Sequence, residues 1–115
     1  MIRPEVAARV RDVSLSLPEA TVRTHHDQRQ FSEVRGRWFC ILGDRGGASG
    51  IIVAVDPDER ELLLATGHPF FAGHLNANRI GVIIDEQTDW TEIRELVTDS
   101  FRIIAPKQLS ARLPE

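Results

Sequence analysis

The sequence predicts an α+β fold, a compact two-layer sandwich in which helices pack on a mostly antiparallel sheet. Three observations carry that expectation. Apolar residues recur at helical spacing near both ends of the chain, while the middle holds short β-branched or aromatic runs set between turn-forming residues. Residues 38–42 are apolar at every position, so they should form a central strand covered on both faces. Strands that follow one another in series, with only the last one set between helices, favour antiparallel pairing over a doubly wound sheet.

The first element is a helix. Pro4 suits its first turn, where a missing N–H costs nothing, and Val6, Val10, Val13 and Leu17 follow at spacings of four, three and four. Pro18 should end it, because the residue before proline is pushed out of the helical region. Residues 21–24 form a weak strand, and His25, His26, Asp27 and Gln28 a polar turn. The hairpin of residues 31–43 folds back through Arg35 and Gly36, where glycine supplies the positive φ of a tight turn. Its first arm mixes Phe31 and Val34 with Ser32 and Glu33 and should lie nearer an edge.

Residues 43–50 hold four glycines and read as a long, mobile hairpin connection; no Gly-Lys-Ser/Thr follows that would make them a phosphate loop. Residues 51–55 are a β-branched strand. Asp56 and Pro57 start a short helix that stops at Gly67, and residues 80–84 give another strand. Asp89 caps a final helix with Trp90, Ile93, Val97, Phe101 and Ile104 on one stripe. Pro106 ends it, and Leu109 and Leu113 can dock one further turn.

At 115 residues the chain fits a single domain over 1–115, and 42% apolar with 27% charged residues is the composition of an ordinary globule. No apolar run reaches the length of a membrane helix and the N-terminus lacks a signal-peptide core, so a cytoplasmic, membrane-free protein is expected. The single cysteine, Cys40, falls in the predicted central strand and should be a buried, unreactive hydrophobe. No cofactor is called for. The four histidines, His25, His26, His68 and His74, have no metal-site spacing, so no metal is expected either. None of the serines sits in a nucleophile-elbow setting and the carboxylates mostly have structural reasons for their places, so the chain is not expected to be an enzyme.

Charge is uneven. Residues 1–45 carry a balance of +2 and residues 46–115 one of −5, and thirteen of the fourteen basic residues are arginine. Guanidinium forks suit phosphate or carboxylate recognition, and a codon bias produces the same composition. Arg23, Arg29, Arg35, Arg37 and Arg45 lie in and beside the hairpin. If its tip projects, Arg35 and Arg37 meet solvent beside Trp38 and can approach a nucleic-acid backbone. The same charges also suit a solvated tip that protects a sheet edge.

Several strings resemble the MmcQ/YjbR family of small bacterial proteins. They are Leu17-Pro18-Glu19, Phe31 and Val34 ahead of Gly36, and Arg37-Trp38-Phe39-Cys40-Ile41-Leu42. Near the end come Trp90-Thr91-Glu92-Ile93, Asp99-Ser100-Phe101-Arg102-Ile103-Ile104 and Lys107. Phe101 stands where the family usually has tyrosine. The resemblance implies a frataxin-like or double-winged fold and a DNA-binding module; it transfers no site residues, and the five arginines, read from the residues alone, are the candidate contacts. The alternative is a protein-interaction or small-ligand-binding module, with a partner protein or a second copy of the chain. Convergence of the five arginines on one face would favour DNA; their dispersal beside an exposed Phe70-Phe71 patch would favour the alternative.

Overall fold

The computed structural model describes residues 2–45, 47–73 and 75–113. Helix α1 spans Pro4–Leu15 and buries Val6, Val10, Val13 and Ser14, with Leu17 buried just beyond it. Strands β1 (Thr21–His25), β2 (Gln28–Ser32), β3 (Trp38–Arg45) and β4 (Ala48–Ala54) follow. Asp56 then caps α2 (Pro57–Thr66) by accepting from the Asp58 N–H, and Gly67, at φ +85°, ends it. Strands β5 (Phe70–Phe71) and β6 (Arg79–Ile84) lead to α3 (Trp90–Ile104) and the short α4 (Lys107–Ser110).

The six strands pair in the order β1-β2-β3-β4-β6-β5, every pair antiparallel. Two neighbouring rows across the sheet show how its faces divide. Thr24, Arg29, Leu42, Ile51, Val82 and Phe70 stand side by side on one face, and Arg23, Gln30, Ile41, Ile52, Gly81 and Phe71 on the other. Leu42, Ile51 and Val82 are fully buried, as are Phe31, Cys40, Val53 and Ile80 two positions along. Helix α3 lies against β3 and β4 and α1 against β3, which makes the first face the core, while α2 lies along β5 and β6.

Helix α3 is set on the sheet by polar and aromatic contacts. The Ser100 hydroxyl donates to the Phe39 carbonyl and accepts from the Ala54 N–H, which ties the helix to both central strands. Phe39 meets Phe101 edge to face at 5.2 Å. A bulge makes this possible. Phe31 pairs with Cys40 and Ser32 with Trp38, so Phe39 is left over and Phe39 and Cys40 are both buried. Burial pushes the Cys40 thiol up to about 12, and the neighbouring Ser14 hydroxyl offsets only part of that rise.

Two expectations need correction. The glycine-rich segment is not a long mobile loop: β3 runs to Arg45, β4 begins at Ala48, and Gly43 pairs with Gly50 inside the sheet. The aromatic stretch after α2 contributes an edge strand, β5, that the sequence reading missed. Among the described residues no helix is long and apolar enough to cross a membrane, and no group of histidine, cysteine and carboxylate side chains is arranged to hold a metal.

Candidate binding face

The hairpin tip between β2 and β3 is built around a buried carboxylate. Glu33 is only 1% exposed. Its Oε1 accepts the N–H groups of Arg35 (3.0 Å) and Arg37 (3.1 Å), and its Oε2 accepts Arg35 Nε at 3.0 Å. The backbone closes the same loop, Glu33 N–H to the Arg37 carbonyl and Gly36 N–H to the Glu33 carbonyl. Gly36 sits at φ +87°, which supplies the left-handed step the turn needs. Burial raises the Glu33 carboxyl, but the Arg37 N–H and the Arg35 guanidinium and N–H outweigh it, and the group is held below the usual carboxylate value. Arg35 Nη2 reaches on to the Ile104 carbonyl at 2.8 Å, in the last turn of α3. The tip is therefore fastened to a helix end.

The five arginines are dispersed, and Phe70 and Phe71 are both half-buried and form no exposed patch, so neither arrangement expected to separate DNA from a protein partner is met. Arg23, exposed on β1, and Arg29, half-buried on β2, belong to opposite faces of the sheet. Arg35 is engaged with Glu33 and Ile104, and Arg37 is exposed in the turn beside it. Arg45 ends β3 opposite Ala48, and its side chain lies outside the described residues. Of the histidines, His25 and His26 bring their rings to 4.3 Å at the β1–β2 turn, and His68 Nε2 lies 3.1 Å from Asp85 Oδ2. His74 lies outside the described residues.

The sheet face that carries Arg23 has a composition of its own. None of the described strand residues that alternate onto it is acidic, although the chain has 17 Asp and Glu against 14 Lys and Arg. It bears Arg23 and His25 at one edge, Trp38 and Arg79 further in, and Phe71 at the other edge. The Arg79 guanidinium lies 4.8 Å over the Trp38 ring, and its backbone carbonyl accepts Arg60 Nε from α2. Phe71 lies across Gly81 so closely that a Cβ there would collide with three of the ring carbons. Beside Phe71 is a depression of about 150 Å³ floored by Ile41, Ile52, Gly43 and Gly50 and bordered by Gln28 and Asp44.

Arg79 and the pairing of Arg23 with Phe71 across six strands were missed in the sequence. Alternation from the Gly36 turn places Trp38 only if the Phe39 bulge is known, and a bulge has no signature in an all-apolar run.

No protein of curated function matches the chain. Its fold is shared by a Deinococcus radiodurans protein of the domain family DUF419, at 20% identity and a TM-score of 0.72, with 84% of this chain and 76% of that one covered. A Pseudomonas syringae protein is similar at 19% identity and a TM-score of 0.67, over 90% of this chain and 98% of that one. At such identities the likeness is one of fold. The YjbR family model matches residues 15–103, most of the chain and all of its sheet, and the chain belongs to the YjbR family.

Proposed function

We propose that this protein is a binding module without chemistry of its own, and that its second sheet face receives single-stranded nucleic acid. The observation that carries this is a sheet face onto which no acidic strand residue alternates, with Asp44 only at the border of its depression, bearing Arg23, Arg79, Trp38 and Phe71, on a chain whose net charge is −3. Backbone phosphates need cations and unstacked bases need rings, and a flat sheet offers both in one plane. A duplex footprint from all five hairpin arginines draws less support, because Arg23 and Arg29 face opposite ways and Arg35 already serves Glu33 and α3.

The test is a fluorescence titration with a thymidine oligonucleotide of about ten residues, a length within the usual single-strand site sizes. Binding should be modest, with a dissociation constant of about 10⁻⁴–10⁻⁶ M, and should weaken as salt rises. Arg23→Ala together with Arg79→Ala should flatten the salt slope by about 0.7 per lost contact, while Arg29→Ala leaves it unchanged. Phe71→Leu removes a stacking surface without charge and should cost about 1–3 kcal/mol of binding. No binding at low salt, or an equal loss from Arg29→Ala, overturns the reading in favour of a polypeptide partner.

A further inference from the structure

A second recess lies between the N-terminal end of α1, the start of β4 and the turn that joins β6 to α3. Its volume is about 450 Å³, and Arg3, Ser49, Ile84, Asp85, Glu86 and Gln87 line it. That size is within the range of small-molecule sites. It shares no lining residue with the depression beside Phe71.

Ser49 marks this recess as more than a surface groove. The residue is 4% exposed, it pairs with Ile84, and its hydroxyl has no hydrogen-bond partner. Buried hydroxyls are nearly always paired, so an unpaired one calls for a partner. The oxygen itself is buried, so it reaches a ligand in the recess only after a turn about χ1, which a serine side chain makes readily.

The charged groups around it are fixed from behind. Asp85 Oδ1 accepts the Gln87 N–H, Asp85 Oδ2 faces His68 Nε2, and the Asp85 N–H donates to the Thr88 hydroxyl, so this carboxylate holds the turn in shape. Among the described residues the Glu86 carboxylate and the Gln87 amide have no such hydrogen bond. Arg3 gives its Nε to Glu5 Oε1 at 2.7 Å, which leaves its two terminal nitrogens to point elsewhere. The recess thus offers one cation, two carboxylates of which Asp85 is engaged in the turn and Glu86 is not, and an unpaired hydroxyl, a set that matches a ligand with both charges better than an anion alone.

We propose that this recess binds a free α-amino acid. The ligand carboxylate pairs with the terminal nitrogens of Arg3, its ammonium with Glu86, and the Ser49 hydroxyl takes the hydrogen bond it lacks. Gln87 and Ile84 flank the position left for the ligand side chain.

The experiment is an amide chemical-shift titration of the intact chain with each common L-amino acid added singly. At least one should give saturable shifts at Ser49 and Gln87 with a dissociation constant of about 1 mM or tighter. The N-acetyl and amide derivatives of that amino acid, each lacking one charge, should bind at least about tenfold more weakly. Ser49→Ala and, separately, Arg3→Gln should weaken binding by a similar factor. Ser49→Ala removes only an unpaired hydroxyl, so the variant stays folded, which a thermal melt verifies. Absence of saturable shifts with every amino acid, or affinity untouched by both substitutions, overturns the proposal. Neither result bears on oligonucleotide binding, whose contacts lie on the other sheet face.

Discussion

Two turns share strand β2 and are held by opposite means. The β1–β2 turn, at His26 and Asp27, is a surface feature: every residue of β1 except Val22 is exposed, and the strand touches little beyond β2. The β2–β3 turn encloses a carboxylate that gathers two N–H groups and one guanidinium, and it is tied to α3 from 69 residues away in the chain. Both turns are short, polar and arginine-flanked in sequence. What separates them is burial, and burial turns the same residue types from solvated decoration into a joint. Arg35 belongs to the joint, and Arg23 is free of it.

The largest expected effect follows from breaking that joint. Glu33→Ala leaves the Arg35 and Arg37 N–H groups without their acceptor and frees the guanidinium from its anion. Hydrogen bonds to a charged group contribute about 1.5–3 kcal/mol each, but Arg35 is half-exposed and regains water, so a total loss of about 2–4 kcal/mol is expected. Urea denaturation of the variant measures it. Because the Glu33 carboxyl is held below its ordinary value, its stabilisation is present in full above the unfolded-state value of about 4.3 and is lost as pH falls through the depressed folded one. A Glu33→Gln variant should lack that acid-side component. Equal acid sensitivity in the two proteins would show that other carboxylates dominate.

A smaller effect is expected at Arg35. Arg35→Lys keeps the charge but cannot reach Glu33 Oε2 and the Ile104 carbonyl with two nitrogens of one planar fork. A loss of about 1 kcal/mol is expected, together with faster amide exchange in the last turn of α3. A silent substitution would mean that the backbone hydrogen bonds alone hold the tip and that the tie to α3 is incidental.

The contrast between the turns also marks what was legible beforehand. The stripes of α1 and α3 were read correctly because Val10, Val97 and Phe101 repeat at helical spacing and each helix has one buried side. Cys40 was placed correctly because an all-apolar strand has few alternatives to a central position. Glu33 was missed: next to Val34 the rule that apolar residues go inside chooses the wrong one, and Val34 is 54% exposed while Glu33 is buried. The partners that reverse the choice are N–H groups, which a sequence does not distinguish by location. Gly43 and Gly50 were read as loop because glycine usually is one, yet they pair across β3 and β4. The family resemblance reached the fold. The candidate faces depended on strand register, which required the bulge at Phe39 and the turn at His26.

The smallest effect is expected at the exposed turn. His26 adopts φ +55°, a left-handed conformation that costs a residue with a Cβ about 1–2 kcal/mol relative to glycine. His26→Gly removes that strain, but glycine also loses more unfolded-state freedom on folding, about 0.4–1 kcal/mol. The edge-to-face contact with His25 is lost as well, though between two exposed rings it contributes little. These contributions largely cancel, so stability should change by less than about 1 kcal/mol, with either sign allowed. Oligonucleotide affinity should stay unchanged, because Arg23 is held by its pairing with Gln30 and not by the turn. A thermal melt and the thymidine titration read both quantities on one sample. A loss as large as that of Glu33→Ala would show the β1–β2 turn to be a second joint, and the distinction between the two turns would fall.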